Sequence, residues 1–282
     1  MILSHDIGRH IELRSPARES PLWRYVYGGK PKPFFHPLCT PAGHVLSIFE
    51  PSDHTWHRGL WFTIKIVNGE NFWEEPADGV FGIQQTCQPP AVSHDESSIN
   101  LHTELNWVRP GGDVVLNERR KIIYQPLDQD SYALDFTFDL TPCHDVVFDR
   151  TPFTTWGGYG GLTFRGNRNW TNTKLTFADG STSDRPTPVH SPWCDLTGLI
   201  DGAANTHAGV AMFDHPQNVR HPVGWYGGTG AGHYFNAALL FHESLKRQAG
   251  ETLSLKYRVL VHDHDMGVDR LNAAYSAWTT GR

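Results

Sequence analysis

Charge is scarce in this chain: 24 lysines and arginines stand against 30 aspartates and glutamates in 282 residues, a formal charge of −6. Such a chain lacks the basic footprint that nucleic acid or an anionic membrane surface demands, so neither is expected as a partner. A mean hydropathy of −0.43 and the lack of a long apolar run leave no expected membrane span. Met1 to Asp6 shows no basic segment leading into an apolar stretch, so no signal peptide is expected and a cytoplasmic location follows. Cysteine is sparse as well. Cys39, Cys87, Cys143 and Cys194 lie far apart, without CxxC or other zinc-type spacing, and read as reduced structural thiols. GxSxG, HExxH, Walker, dinucleotide-glycine and EF-hand patterns are all missing, which disfavours ATP, dinucleotide and common hydrolase chemistry. No cofactor is expected.

Turn formers and aromatic rings are abundant instead: 27 glycines, 19 prolines, 17 histidines and 10 tryptophans. Many turns in an ordered chain imply many short strands. Abundant His and Trp suit a site that titrates near neutrality between flat apolar walls, although they equally fill β cores and rims.

Apolar–polar alternation dominates from end to end. Ile99 to Val108, Val114 to Tyr124 and Tyr132 to Leu140 read as an antiparallel meander joined by Arg109–Asp113 and Gln125–Ser131. Further strands are expected at Trp23–Tyr27, Val45–Phe49, Leu60–Val67, Thr173–Phe177, Gly209–Phe213, Phe235–Phe241 and Leu253–Val261. A helix is expected only after Gly267, where Val268, Leu271, Ala274, Tyr275 and Trp278 form one apolar stripe suited to packing on a sheet. Gly180 to Asp195 reads as a long loop inserted in one domain. The expected fold is therefore all-β, a large antiparallel β-sandwich with a short C-terminal helix, in one domain over residues 1–282.

Three stretches concentrate chemistry. In His36 to Glu75, four histidines (His36, His44, His54, His57) accompany Asp53 and Arg58, and Pro51-Ser52-Asp53 signals a turn. A loop histidine beside a carboxylate can be oriented by it for acid–base work. Two histidines three apart could share a metal only if a turn brings them together, and no third ligand is evident, so no metal is expected. The alternative is that both merely cap the loop. Trp156 to Arg165 (WGGYGGLTFR) surrounds Tyr159 with glycines that permit close approach of a backbone or ligand, with Arg165 as a clamp for a carbonyl or carboxylate, or else forms a wide edge bulge. Asp214 to Tyr226 (DHPQNVRHPVGWY) offers His215, Arg220, His221 and Trp225, the mixed polar and aromatic set on which a sugar ring stacks and bonds; satisfaction of loop carbonyls is the alternative. Glu118, mid-strand beside Arg119 and Arg120, could pair with a histidine on a concave sheet or sit in a solvated charge run.

The stretch Pro33–Glu75, with DH-x-x-H-x-G-LWF, and the later HP-x-N-x-RHP, GGYGGLTFR and FNAALLFHESLKRQAGETLSLKYRVLVHD segments resemble a bacterial family of unknown function usually labelled PmoA, from about Phe34 to Asp263. That label names a methane oxygenase, a membrane metalloprotein, whereas this chain has no span; the activity is not carried over. The resemblance implies a setting of bacterial sugar breakdown beside sugar-oxidising dehydrogenases. The strand-rich pattern is also similar to galactose-mutarotase-like supersandwiches, in which histidines on a concave sheet do acid–base chemistry on sugars. His233-Tyr234-Phe235-Asn236 is similar to a mutarotase string with a catalytic histidine, at a later position than in that family.

These readings converge on a carbohydrate-active enzyme that performs elimination, glycosidic cleavage or epimerisation on a sugar or oxidised sugar. His57 is the expected base, with His54 or Tyr159 as acid; Arg165 and Arg220 hold a carbonyl or carboxylate, and Trp61 and Trp225 are stacking platforms. His36, Arg58, Glu118, His215 and His221 complete the expected substrate-binding set. The alternatives are a non-catalytic sugar-binding protein and a metal-dependent oxygenase using His36, His54 and His57. The expected partner is a small-molecule sugar; a homo-oligomer stays open.

Overall fold

A computed structural model describes residues 1–18, 20–151, 158–230 and 232–281. The expected meander is present in register: Ile99–Val108 pairs with Val114–Pro126, which pairs with Ser131–Pro142. Alternate residues of these strands are buried, as the sequence pattern requires of strands with one face on a core. With Leu253–Asp263, His207–Asp214, Trp193–Ile200, Trp170–Phe177 and the short Thr182–Ser183, Ile83–Thr86 and Ala91–His94 they build a ten-stranded antiparallel sheet.

A nine-stranded antiparallel sheet faces it, in the order Ile2–Asp6, His10–Arg14, Trp23–Val26, Phe34–Leu38, Leu60–Thr63, Gly161–Arg165, Tyr234–Ala237, Gly224–Gly228, Val189–His190. The two sheets share one hydrophobic core. Across it Phe62 stacks on Phe138 with centroids 4.0 Å apart, and Phe35 meets Phe136 edge-on at 5.8 Å. This is the expected large two-sheet β-sandwich. A small four-stranded sheet (Leu245–Arg247, Val146–Asp149, Ile66–Val67, Glu70–Asn71) lies beside it.

The C-terminal helix, Gly267–Thr280, lays its stripe on the outer face of the ten-stranded sheet. Leu271 is buried there, and Val268, Ala274, Tyr275 and Trp278 pack with Trp193, Ala211, Phe213 and Leu260. Among the described residues no helix is long and apolar enough to cross a membrane.

Three expected strands differ. Val45–Phe49 forms only isolated bridges, from Val45 to Cys39, Ser47 to Gly166 and Phe49 to Arg58, because it passes from one strand end to another instead of lying along one partner. Leu60–Val67 breaks after Thr63, and Ile66–Val67 leaves for the small sheet. Phe235–Phe241 stops at Ala237, where the amides of Leu239 and Phe241 turn back to Ala237 and Ala238. Gly180–Asp195 is not wholly loop, since it contributes the short edge strands Thr182–Ser183 and Val189–His190.

The stacked Phe62–Phe138 pair gives a measurable expectation. Phe138→Ala leaves a void between two sheets that cannot close on it, so chemical denaturation should show a loss of about 3–5 kcal/mol. A loss below about 1 kcal/mol would mean that the sheets do not meet at this pair.

Candidate functional site

Leu60–Thr63 and Gly161–Arg165 sit at the centre of the nine-stranded sheet. Their alternate residues Leu60, Phe62, Leu162 and Phe164 enter the shared core, so Trp61, Thr63, Thr163 and Arg165 project from the opposite face. Register extends that outer row from Phe34 through Trp61, Thr163 and Asn236 to Tyr226. The glycine-rich stretch serves this placement. Gly161 has φ +108°, and a Cβ there would lie 2.4 Å from the Ala237 carbonyl oxygen, so only glycine lets these backbones approach. Gly161–Arg165 is thus a central strand and not an edge bulge; Trp156 and Gly157, which open the stretch, lie outside the described residues.

The turn at Pro51–Asp53 sets the histidines. His54 N–H donates to Pro51 O at 2.9 Å and His57 N–H to His54 O at 3.0 Å. Two tight turns in succession bring the His54 and His57 rings into a stack with centroids 4.7 Å apart. His57 also stacks on Tyr234 at 5.4 Å, tilts over Trp61 at 5.0 Å and meets Trp73 edge-on at 6.1 Å. Tyr159 reaches the same cluster through Trp73, at 5.1 Å, and Tyr226, at 6.1 Å. Phe34, Trp61 and Trp73 form its buried apolar floor, with Phe49, Trp56, Tyr159 and Tyr234 at the margins.

Charge surrounds this floor. Arg58 makes a two-pronged ion pair with Glu75, which also accepts from Lys32 Nζ at 2.7 Å, and Glu50 links Arg58 to Lys30. Lys65 donates to both Glu74 and Tyr159, whose hydroxyl in turn donates to Glu74 Oε1 at 3.0 Å. Asp53 bridges Arg165 at 2.8 Å and Arg168 at 2.6 Å. His54 Nδ1 lies 3.2 Å from Asp53 Oδ2 without hydrogen-bond geometry.

Burial first, then the nearby Arg165, His54, Lys32 and Arg58, drive the His57 pKa down to about 2, so its imidazole is neutral. Burial and the Glu74 carboxylate push the Tyr159 phenol above its ordinary value. Burial lowers Lys32 to about 8 against the pull of Glu75. For Glu75, burial works upward but Arg58 and Lys32 outweigh it and hold the carboxyl below its usual range. Several buried polar atoms on this face have no partner among the described residues: His57 Nδ1, Trp61 Nε1, Arg165 Nε and Asn236 Oδ1. Unpaired buried groups are costly.

The structure thus brings together His54, His57, Arg58, Trp61, Tyr159 and Arg165. His36 reaches the same face but gives Nδ1 to Ser47 Oγ at 2.9 Å and stacks on Phe49, and burial, followed by Arg24, lowers its pKa to about 4. Among the described residues no three His, Cys, Asp or Glu side chains are placed to hold a metal.

Other expected site residues lie elsewhere. Glu118 points between the sheets, 1% exposed, and accepts from Trp107 Nε1 at 2.7 Å and Arg120 Nε at 2.6 Å; its partner is an arginine and not a histidine. Trp225 belongs to the shared core, with its Nε1 donating to Ser191 O, so it is no platform. Arg220 spends its donors on the carbonyls of Leu239, Glu243 and Ser244 and on the Glu243 carboxylate. His221 bonds buried Asp214 at 2.8 Å, and His215 packs on Trp278 of the helix at 5.0 Å. His215, Arg220, His221 and Trp225 follow the structured-loop or core alternative because their polar atoms already have local partners. Sequence reasoning missed Lys32, Lys65 and Glu74 as members of the site, and placed no weight on Tyr234 and Asn236 beyond the mutarotase-like string. For Glu74 and Glu75 the available signal was the NFWEE run, in which aromatic rings immediately precede two carboxylates. A cavity of about 1150 Å³ is separate from this face; it lies by Leu13, Cys39, Ser97 and Tyr132.

The fold and this face define a β-sandwich protein with a histidine–aromatic–cation cluster on the outer side of one sheet. The chain belongs to DUF6807, a family of unknown function, which matches residues 13–276. Nothing in that match supports the PmoA label. The chain is similar to a solved galactose mutarotase related enzyme from Lactobacillus acidophilus, with 9% identity over 91% of this chain and 97% of that one and a TM-score of 0.42. No curated protein matches it.

The neutral His57 yields a pH expectation. Its folded pKa, about 2, lies below the ordinary 6.5, so between these values the unfolded chain binds the extra proton and acid favours unfolding. From pH 6.5 down to 4 the protein should lose stability relative to His57→Gln by up to about 1.4 kcal/mol per pH unit. Parallel denaturation curves for the two proteins across that range would show that His57 is charged in the fold.

Proposed function

We propose that this face binds a sugar or oxidised sugar and carries out acid–base chemistry on it, by elimination, glycosidic cleavage or epimerisation. The observation that carries the reading is the set of unpartnered buried polar atoms on His57, Trp61, Arg165 and Asn236, placed among aromatic faces. A sugar ring presents C–H faces to aromatic rings and hydroxyl or carbonyl oxygens to such atoms. His57, neutral and stacked in place, is the proton-accepting group. Tyr159 gives its phenolic proton to a substrate oxygen and takes one from the Lys65 ammonium, which Glu74 holds in place and water reprotonates. Arg165 stabilises negative charge that develops on a substrate oxygen.

A second reading, sugar binding without turnover, draws on one observation. An imidazole with a pKa of about 2 is a weak base, since effective general bases titrate near the working pH. Incubation with 3-keto-glycosides and uronides, with products followed by NMR, separates the two. Turnover that falls about 100-fold or more in both His57→Gln and Tyr159→Phe supports catalysis. Binding without product favours the second reading, and turnover indifferent to both variants removes this face from the reaction.

A further inference from the structure

The cations of this face differ in what holds them. Lys32 and Arg58 are committed to Glu75, and Lys65 to Glu74, neighbouring carboxylates that run directly on from buried Trp73. Arg165 is held differently. It is 6% exposed, its Nε has no partner among the described residues, and its one carboxylate partner is Asp53. The Asp53 side chain is 39% exposed on the 51–57 turn, and its second oxygen is taken by Arg168, itself half exposed. Exposed ion pairs are weak and readily exchanged, whereas a buried guanidinium N–H left unpaired is not.

The position of the guanidinium is built into the fold. A Cβ on Gly232 would lie 2.5 Å from Arg165 Nη1, so a glycine there keeps room for the fork. The same turn that supplies Asp53 supplies His54, whose ring covers His57 at 4.7 Å. One short segment therefore occupies the cation and shields the imidazole together.

The unpartnered atoms also specify the ligand's chemistry. Arg165 Nε–H and Trp61 Nε1–H can only donate, whereas Asn236 Oδ1 can only accept. The matching molecule carries an oxyanion toward Arg165 and a hydroxyl toward Asn236, which is the pattern of a hydroxy acid.

We propose that the Asp53 carboxylate is a stand-in for the acid group of a sugar-acid ligand, which displaces it from Arg165 and Arg168 and swings residues 51–55, with His54, away from His57. The proposal rests on the reading of this face as a sugar site. It adds the charge of the ligand and the means by which the site opens.

Calorimetric titration of the wild type, Asp53→Asn, Arg165→Gln and Arg168→Gln with galacturonate, glucuronate, galactose, glucose and the non-sugar hydroxy acid glycolate tests it. Uronates should bind the wild type more tightly than the neutral sugars. Asp53→Asn should tighten uronate binding about tenfold, the gain expected when a competing exposed ion-pair partner is removed from two arginines. Arg165→Gln should abolish that preference, and the exposed Arg168→Gln should reduce it even if the Arg165 variant folds poorly. Equal binding of neutral and acidic sugars, unchanged in Asp53→Asn, overturns the proposal and leaves the sugar site standing. Glycolate binding that tightens in Asp53→Asn while no sugar binds upholds the anion site and removes the sugar reading. No carboxylate responding to Asp53→Asn overturns the proposal in every case.

Discussion

The site depends on two adjacent central strands that have water on neither face. Leu60, Phe62, Leu162 and Phe164 anchor Leu60–Thr63 and Gly161–Arg165 in the sandwich core, so alternation forces Trp61, Thr163 and Arg165 outward. That outer side is also covered, since Trp61 is 2% exposed and Arg165 6%. The cover comes from the 51–57 turn and from Trp73 and its neighbours. A one-residue slip in register would exchange the two sets and lose both core and site, so the hydrophobic pattern that specifies the fold also specifies the position of the guanidinium and indole.

Buried charge constrains what these groups can do. Arg58, Lys32 and Glu75 neutralise one another, and Arg58 with its counter-ions is better regarded as a rigid support than as a reagent, because removing one partner would strand another charge out of water. His57 has no such carboxylate. Its neighbours are rings and cations, so neutrality is the state the surroundings favour, and its position is fixed by stacking on Tyr234 and His54. Stacking and turn geometry hold the ring in one orientation before any ligand arrives, the condition under which a polar site is preorganised.

Much of this was legible in the sequence where local pattern and final environment agree. The meander from Ile99 to Pro142 follows its alternation because one face of each strand meets the core along its length. The DHTWHRGLWF string announced a turn feeding a strand, and the turn is what brings His54 and His57 together. Illegible were the features that need register or distant partners. Glu118 and Trp225 alternate correctly, but alternation does not say which face is the interior, and both point inward. Arg220 could not be distinguished from Arg165 by type or by neighbours in sequence. The difference is that the carbonyls of Leu239, Glu243 and Ser244 fold back onto Arg220, while the Arg165 guanidinium meets, among the described residues, only the carboxylate of Asp53, distant in the chain. Lys65 and Glu74 meet Tyr159 for the same long-range reason.

The low basicity of His57 and the loosely held Arg165 then bear on one another. The groups that lower the imidazole pKa after burial are led by Arg165, with Lys32 and Arg58 contributing. A negative charge seated against Arg165 would offset this positive field and raise the basicity of His57, since an opposite charge nearby favours the protonated ring. Asp53 supplies such a charge only from an exposed position at the edge, screened by water and shared with Arg168. An acid group bound within the cluster would act at shorter range and lower dielectric, where the same charge has a larger effect. On the proposed reading, the imidazole becomes a competent proton acceptor through the charge of the molecule it is to act upon.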